Sequence, residues 1–409
     1  MDRRSFLQSS TAALVGGSMP VMPLAAHAAG EDIVISSILD LSGGLDIYGK
    51  PMADCMTLAV EEQNAAGGLL GKKLRLVSYD PQSNMQLYAQ FAQQAALKEK
   101  SVVVMGGITS ASREVIRPVM NRNRTLYFYN TLYEGGVCDR NTFCTGLTPG
   151  QTVSQLIPYA MKKWGKKVYI LAADYNYGQI TSQWIKKFVQ ESGGSVASID
   201  FFPLDVTNFG PTISKIEAAK PDMVVSALVG GSHMSFYRQW AAAGLTKKIP
   251  LASTTFGGGN EHIVLSPQET DGFLVSYNYF PTLDTPQNKD FKERFYKRFG
   301  ANYPNITEFA VSTYQGFKIW AEGVKKAGSI DRVKLTEALE SGISIDGPSG
   351  KVSVDPQTHH CILNVSIAEL RNKQFNILET FAQQPPIDTS AVCNLKKNPQ
   401  DNRQYVIKV

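Results

Sequence analysis

The chain has 409 residues, 43% of them hydrophobic and 19% charged, and its formal net charge is +5. This is an ordinary globular composition, and because lysine and arginine occur in pairs rather than in a dense stripe, we expect no nucleic-acid partner. No segment approaches the run of about 20 apolar residues that a membrane helix needs, so we expect no membrane insertion of the mature chain.

The N-terminal segment has the features of an export signal. The sequence RRSFL at residues 3–7 precedes a mildly apolar stretch, and small residues follow around Ala28. This pattern predicts a twin-arginine signal over residues 1–28 that is cleaved on export to the periplasm. An amphipathic first helix is the alternative. The remaining chain of about 380 residues exceeds one hydrophobic core, so we expect at least two domains.

From residue 31 onward, β-branched runs alternate with amphipathic stretches. Strands are predicted at DIVISSIL, KKLRLVSYD, SVVVMGG and TLYFYN, and a second series of strands and helices follows TGLTPGQ. Strands that are apolar throughout and separated by helices indicate parallel sheets covered on both faces. The fold class is therefore α/β with two similar lobes. Further helices are predicted near 288–299, 309–327 and 332–341, before a β-rich tail.

Common enzyme motifs do not occur in the sequence. No GxGxxG follows the first strand, AGGLLGKK lacks the phosphate-loop spacing, and neither GxSxG nor HExxH is present. His359 and His360 are neighbours on a predicted strand and would point to opposite faces, which disfavours a shared metal ion. We therefore expect no catalytic residue, no metal and no cofactor, with a hydrolase as a remaining alternative.

The chain has five cysteines, which the predicted oxidising compartment would allow to form disulfides. Cys138 and Cys144 are six positions apart and are the predicted pair. Cys361 with Cys393 is a weaker alternative. Cys55 lies in a helical pattern and is predicted to be a buried thiol.

Aromatic and hydroxyl side chains follow the predicted strands. Parallel α/β sheets bind ligands beyond the carboxyl ends of their strands. Tyrosines there would offer flat walls with polar tips, so we predict a site for a small, mostly neutral polar ligand. Capping of a helix by Ser110 and core packing of any single tyrosine are the alternatives. The candidate residues are Tyr48, Thr109, Ser110, Tyr129, Thr131, Tyr175, Tyr177, Thr254, Thr255 and Glu261.

Several stretches resemble the periplasmic solute-binding proteins of the branched-chain amino acid/amide ABC transporter family. They are LSGGLDIYGKPM, AAGGLLGKKLRLVSYD, GGITSASREV and GPSGKVSVDP. YNTLYEGGVCDRN, and THH before VSIAEL, are similar to the short-chain amide and urea binders. The resemblance implies a type I periplasmic binding protein fold, with two Rossmann-like lobes joined by three hinge crossovers. It implies hinges near 147–150, 277–281 and 347–352, a first lobe of 29–148 plus 280–350, and a second lobe of 149–279 plus 351–409.

The resemblance also implies roles for individual residues. Ser110 and Thr131 would bind the ligand beside Tyr129, while Tyr175 and Tyr177 would close over it from the second lobe. The implied function is capture of a small amide or urea-like solute for an inner-membrane ABC permease.

Two other functions remain as alternatives. The first is uptake of a branched-chain or other amino acid, with Glu261 or Asp174 holding the ammonium group. The second is a cytoplasmic ligand sensor, which the export signal disfavours.

Overall fold

The first part of the chain forms a parallel β-sheet with helices between its strands. The computed structural model describes residues 31–406, so the predicted signal at residues 1–28 lies outside them. The elements are β1 (Ile33–Ile38), α1 (Asp46–Ala65), β2 (Leu74–Tyr79), α2 (Met85–Gln93), β3 (Val103–Gly106), α3 (Ser110–Asn123), β4 (Leu126–Tyr129), β5 (Val137–Asp139) and β6 (Thr142–Cys144).

The strands of this first sheet lie in the order β2–β1–β3–β4–β6 and run parallel. Ile35 of β1, for example, lies between Leu76 of β2 and Val103 of β3. Every residue of β3 and β4 is buried, as expected for strands with both faces covered. The carboxyl ends of these strands meet at one edge, where the loop before α3 and the loop after β4 begin.

The second series repeats this pattern and builds a second sheet. Strands β8–β7–β9–β10–β11 of this sheet run parallel. The elements are α4 (Val153–Trp164), β7 (Lys167–Ala173), α5 (Asn176–Glu191), β8 (Ser195–Phe202), α6 (Gly210–Ala219), β9 (Met223–Ala227), α7 (Gly231–Ala242), β10 (Leu251–Ser253), α8 (Glu261–Val264), α9 (Pro267–Thr270) and β11 (Leu274–Tyr277).

The last part of the chain adds helices beside the first sheet and strands to the second sheet. Its elements are α10 (Pro286–Phe299), α11 (Glu308–Ala327), α12 (Arg332–Leu339), β12 (Ser344–Gly347), β13 (Gly350–Val354), β14 (Cys361–Arg371), β15 (Gln374–Gln384), α13 (Ile387–Ser390) and β16 (Asn402–Gln404). α11 packs along α1 and α12 beside the first sheet, whereas β14 extends the second sheet antiparallel to β11. We call the two sheets with their helices the first and second lobes.

The predicted α/β class with parallel sheets is confirmed. The three helices predicted beyond residue 285 correspond to α10, α11 and α12, and the β-rich tail corresponds to β12–β15. The lobe boundaries and the hinge positions stay predictions. The end of the chain returns to the first lobe, because β16 pairs antiparallel with β5, Asn402 opposite Asp139.

The predicted disulfide is wrong, because Cys138 is bonded to Cys393 and Cys144 is a free, buried thiol. The two cysteines of the predicted pair belong to different apolar clusters. Cys138 packs with Cys393 and Leu395, whereas Cys144 of β6 packs with Tyr129 and other residues of the first sheet. Cys361, the alternative partner of Cys393, is also free, and Cys55 is a buried thiol as predicted.

Candidate functional site

A cleft lies between the carboxyl edges of the two sheets. Its outer part has a volume of about 630 Å³ and is lined from the first lobe by Leu45 and Met85, and from the second lobe by Leu204 and Gly231. The lobes touch at its floor, where the Tyr48 hydroxyl accepts a hydrogen bond of 3.1 Å from the amide of Gly230. The two lobes are therefore in direct contact beside the cleft.

A smaller inner chamber lies beyond Tyr175, which lines both spaces. The chamber has a volume of about 20 Å³, enough for only a small group. Its lining residues are Tyr48, Ile108, Thr131, Leu132, Tyr175, Tyr177, Val229, Thr255 and Phe309. Among these described residues there is no charged side chain, so the walls offer aromatic rings, aliphatic side chains and hydroxyl groups.

The start of α3 borders the outer cleft. Thr109 caps the helix, because its side chain accepts a 3.1 Å hydrogen bond from the Ser112 amide. The first amides of a helix have no carbonyl partner within it. Those of Ser110 and Ala111 are thus suited to an acyl or carboxylate oxygen, and Thr109 and Ala111 line the cleft.

Ser110 itself is engaged within the protein. Its hydroxyl donates to one carboxylate oxygen of Glu134, and the other oxygen accepts a 2.9 Å hydrogen bond from Arg113 Nη2. Gln404 of β16 joins both partners, accepting from Arg113 at 2.6 Å and donating to Glu134. Arg113 and Glu134 are fully buried. The predicted ligand role of Ser110 therefore competes with a structural one.

Tyr129 and Thr131 follow β4 but differ in position. The Tyr129 hydroxyl donates to the Ile108 carbonyl at 2.9 Å, and its ring lies 5.0 Å from the Arg113 guanidinium. Burial raises the pKa of Tyr129 far above its ordinary value. Thr131 lines the inner chamber, while Tyr129 lies behind it.

Four residues of the second lobe meet at the same place. Tyr177 and Thr254 share a hydrogen bond of 2.8 Å between their hydroxyl groups. Thr255 donates to the Leu228 carbonyl at 2.6 Å, and Tyr175 is half-buried at the start of α5. The structure thus brings Tyr48, Thr131, Tyr175, Tyr177 and Thr255 together around one chamber, with Thr254 behind Tyr177.

Glu261 does not line the chamber. Its carboxylate accepts hydrogen bonds from the amides of Gly257 and Gly259, and Oε1 lies 2.9 Å from His233 Nε2. Burial acts to raise the pKa of Glu261, but the neighbouring His233 outweighs it and holds that pKa below the ordinary value. The carboxylate therefore stabilises the glycine-rich loop at residues 257–259.

The same loop passes close to Phe309 of α11. A Cβ atom added at Gly258 would lie 2.7 Å from the Phe309 ring, so there is no room for a side chain at this position.

Asp174 is exposed at the rim of the outer cleft, where its carboxylate accepts a 2.9 Å hydrogen bond from Gln179. It does not line the inner chamber. His359 and His360 lie apart from the cleft lining, His359 beside Glu340 at 3.0 Å and His360 bonded to the Thr358 carbonyl. Residues 31–406 bring no three metal-ligating side chains together.

The sequence patterns missed several residues of the site. Glu134 and Arg113 form a buried ion pair beneath Ser110, and Phe309 of α11 forms a chamber wall. Glu308, next to Phe309 in sequence, lines a separate cavity beside the glycine-rich loop, and burial raises its pKa to about 8. Phe309 and Glu308 come from a helix remote in sequence, so no pattern around the strand ends could have indicated them.

Comparison with known proteins shows the family. The model of the periplasmic binding protein domain matches residues 33–396. The chain belongs to this family. Leu/Ile/Val-binding protein homolog 6 of Brucella melitensis is 24% identical over 361 residues, covering 86% of this chain and 91% of that protein. As a member of this family, the chain is a solute-binding component of a transport system rather than an enzyme.

Solved structures of ABC transporter components share the fold. One is a solute-binding protein from Rhodopseudomonas palustris HaA2 in complex with p-hydroxybenzoic acid, with a TM-score of 0.77 and 25% identity, covering 87% of this chain and 98% of that one. Another is an amino acid transporter substrate-binding protein from Pseudomonas fluorescens Pf-5, with a TM-score of 0.80 and 20% identity, covering 90% and 100%. None of the helices between residues 31 and 406 combines the length and apolar character that a membrane crossing requires.

Proposed function

We propose that this periplasmic binding protein captures a small amide or urea-like solute between its lobes and delivers it to an inner-membrane ABC permease. The observation that carries the proposal is the uncharged inner chamber, whose walls combine tyrosine rings with the hydroxyl groups of Thr131 and Thr255. A neutral polar solute loses little hydration energy there, whereas an unpaired charge would lose much more.

An amino acid is a poorer fit to this chamber. Its ammonium group would require an acidic partner, and the two acidic candidates are placed elsewhere. Glu261 is occupied by His233 and by the glycine loop, and Asp174 lies at the exposed rim. Leucine and valine should therefore bind more weakly than a simple amide.

An aromatic carboxylate is the second candidate. The HaA2 protein from R. palustris is in complex with p-hydroxybenzoic acid, and in this chain Tyr175 and the apolar side chains of Leu45, Met85 and Leu204 line the outer cleft. The carboxylate of such a ligand would lie at the amides of Ser110 and Ala111, because the N-terminus of helix α3 favours negative charge. The ring would then occupy the outer cleft.

Export and lobe movement complete the proposal. The RRSFL segment would direct the folded chain to the periplasm, where cleavage near Ala28 releases it. The two lobes would close about the predicted hinges near 147–150, 277–281 and 347–352, with β16 moving with the first lobe to which it is paired. A solute shifts this equilibrium only by its preference for the closed form.

A thermal-shift panel on the mature protein tests the solute class. It contains urea, acetamide, propionamide, leucine, valine, benzoate and 4-hydroxybenzoate. A ligand at about a hundred times its dissociation constant stabilises by about 2.7 kcal/mol, which gives a visible rise in Tm. Shifts with the amides or urea support the proposal, shifts with the benzoates support the second candidate, and shifts with amino acids alone contradict both.

A further inference from the structure

Two threonine hydroxyls of the inner chamber point their hydrogens away from it. Thr131 Oγ1 donates to the Gly107 carbonyl at 3.1 Å, and Thr255 Oγ1 donates to the Leu228 carbonyl at 2.6 Å. A hydroxyl group has one hydrogen and two acceptor lone pairs. Each threonine therefore presents only lone pairs to a molecule in the chamber.

These hydroxyls cannot turn round freely. If either one donated to a solute, the carbonyl of Gly107 or Leu228 would lose its hydrogen-bond donor. Both threonines are buried, at 3% relative exposure, and an unpaired polar group in such a position is costly. The acceptor character of these two positions is thus fixed by the backbone.

The opposite character is found at Tyr48. Its hydroxyl oxygen accepts from the Gly230 amide at 3.1 Å, and no hydrogen bond among residues 31–406 uses its hydrogen. The Tyr48 hydroxyl is therefore available as a donor. Tyr175 also lines the chamber, and its hydroxyl forms no hydrogen bond within that range, so it can turn to suit either partner.

We propose that the chamber selects its solute by the direction of hydrogen bonds. Thr131 and Thr255 accept from N–H groups, and Tyr48 donates to a carbonyl oxygen. A primary amide has this combination of one carbonyl oxygen and two N–H donors, and urea has the same carbonyl oxygen with four N–H donors, whereas a ketone lacks the donors and a carboxylate offers acceptors alone. This inference rests on the proposed function and names the residues that would discriminate against molecules of the same shape.

Two matched sets of compounds test the selection by isothermal titration calorimetry at pH 7. Acetamide, acetone and acetate have nearly the same shape, as do benzamide, acetophenone and benzoate. We expect the amide of a set to bind about tenfold or more tightly than its ketone and its carboxylate, since both N–H hydrogen bonds, to Thr131 and to Thr255, are lost in each comparison. Equal affinity of the ketone, or tighter binding of the carboxylate, overturns the inference while the solute-binding function stands.

The variants Thr255→Val and Thr255→Ser test the residue itself. Valine removes the acceptor at similar volume, and serine keeps it. We expect Thr255→Val to weaken acetamide about tenfold and acetone by less than about twofold, with Thr255→Ser close to wild type. A structural role alone would weaken both compounds equally and so contradict the inference. If none of the six compounds binds the wild type, the proposed solute class fails, and the inference fails with it.

Discussion

Glu308 shows how burial alone can change the chemistry of a residue. It is the first residue of α11 and is 4% exposed. Burial raises its pKa to about 8, and the 2.8 Å hydrogen bond from Ser312 opposes this only in part. The carboxyl group is therefore protonated in the folded protein at neutral pH and below.

We expect this carboxyl group to make the protein less stable as pH rises from about 4.3 to 8. Glutamate in the unfolded chain loses its proton near pH 4.3, whereas folded Glu308 keeps it until about pH 8, so the folded state binds more protons in between. The free energy of unfolding should fall by up to about 1.4 kcal/mol per pH unit there.

Urea unfolding at pH 5, 6, 7 and 8 measures this slope in the wild type and in Glu308→Gln. The variant cannot ionise at this position, so its unfolding free energy should fall less with pH. Glu322→Gln, at a partly exposed position of the same helix, is the control and should follow the wild type. Parallel profiles of wild type and Glu308→Gln would show that Glu308 does not carry the effect.

The sequence was sufficient to predict Tyr48, Thr131, Tyr175, Tyr177 and Thr255 as neighbours, because the carboxyl ends of parallel strands converge. The sequence was insufficient to predict that Ser110 and Glu261 are engaged by other side chains of the protein. The partners that engage these two side chains, Glu134 with Gln404 and His233, come from segments whose approach depends on the complete tertiary fold.

At the scale of elements, the C-terminal strand β16 anchors the start of α3. Gln404 links Arg113 and Glu134, and Arg113 lies 4.5 Å from the Tyr133 ring. A buried ion pair is favourable only when its remaining donors and acceptors are satisfied. β16 therefore provides part of the support for the helix that borders the cleft.

We expect Gln404→Ala to destabilise the protein by about 1–3 kcal/mol, because it leaves buried polar atoms of Arg113 and Glu134 without their partner. The measurement is the urea midpoint at constant m value. Gln400→Ala, four residues earlier at an exposed position, is the matched control and should change stability by less than about 0.5 kcal/mol. Equal effects of the two variants would remove the role assigned to β16.

The disulfide illustrates why cysteine spacing was misleading. Cys138 and Cys144 are close in sequence, but β5 turns towards the C-terminal segment while β6 enters the first sheet. The spacing of cysteines along the chain cannot show that residues 393–404 pack against β5, because this contact depends on the packing of the whole first lobe.

Peptide mapping without reduction tests this pairing. Digestion of the oxidised protein should yield one linked peptide pair containing Cys138 and Cys393, with Cys144 alkylated only after unfolding. The double variant Cys138→Ser/Cys393→Ser should lose about 2–4 kcal/mol of stability, since the closed loop is long. A linked pair of Cys138 and Cys144 would contradict the structure.

At the scale of the whole molecule, the two lobes enclose a chamber that neither forms alone. Tyr48 and Thr131 come from the first lobe, and Tyr177 and Thr255 from the second. A solute that contacts both sides stabilises the closed form relative to the open one. The contact of Tyr48 with Gly230 would be lost as the lobes separate.

Small-angle X-ray scattering of the mature protein with and without acetamide tests the central claim, that solute is held between closing lobes. The acetamide concentration is set to full occupancy by calorimetry. The account predicts a smaller radius of gyration with acetamide, and urea should produce the same decrease. An unchanged radius at full occupancy would contradict it, because the solute would then bind without bringing the lobes together.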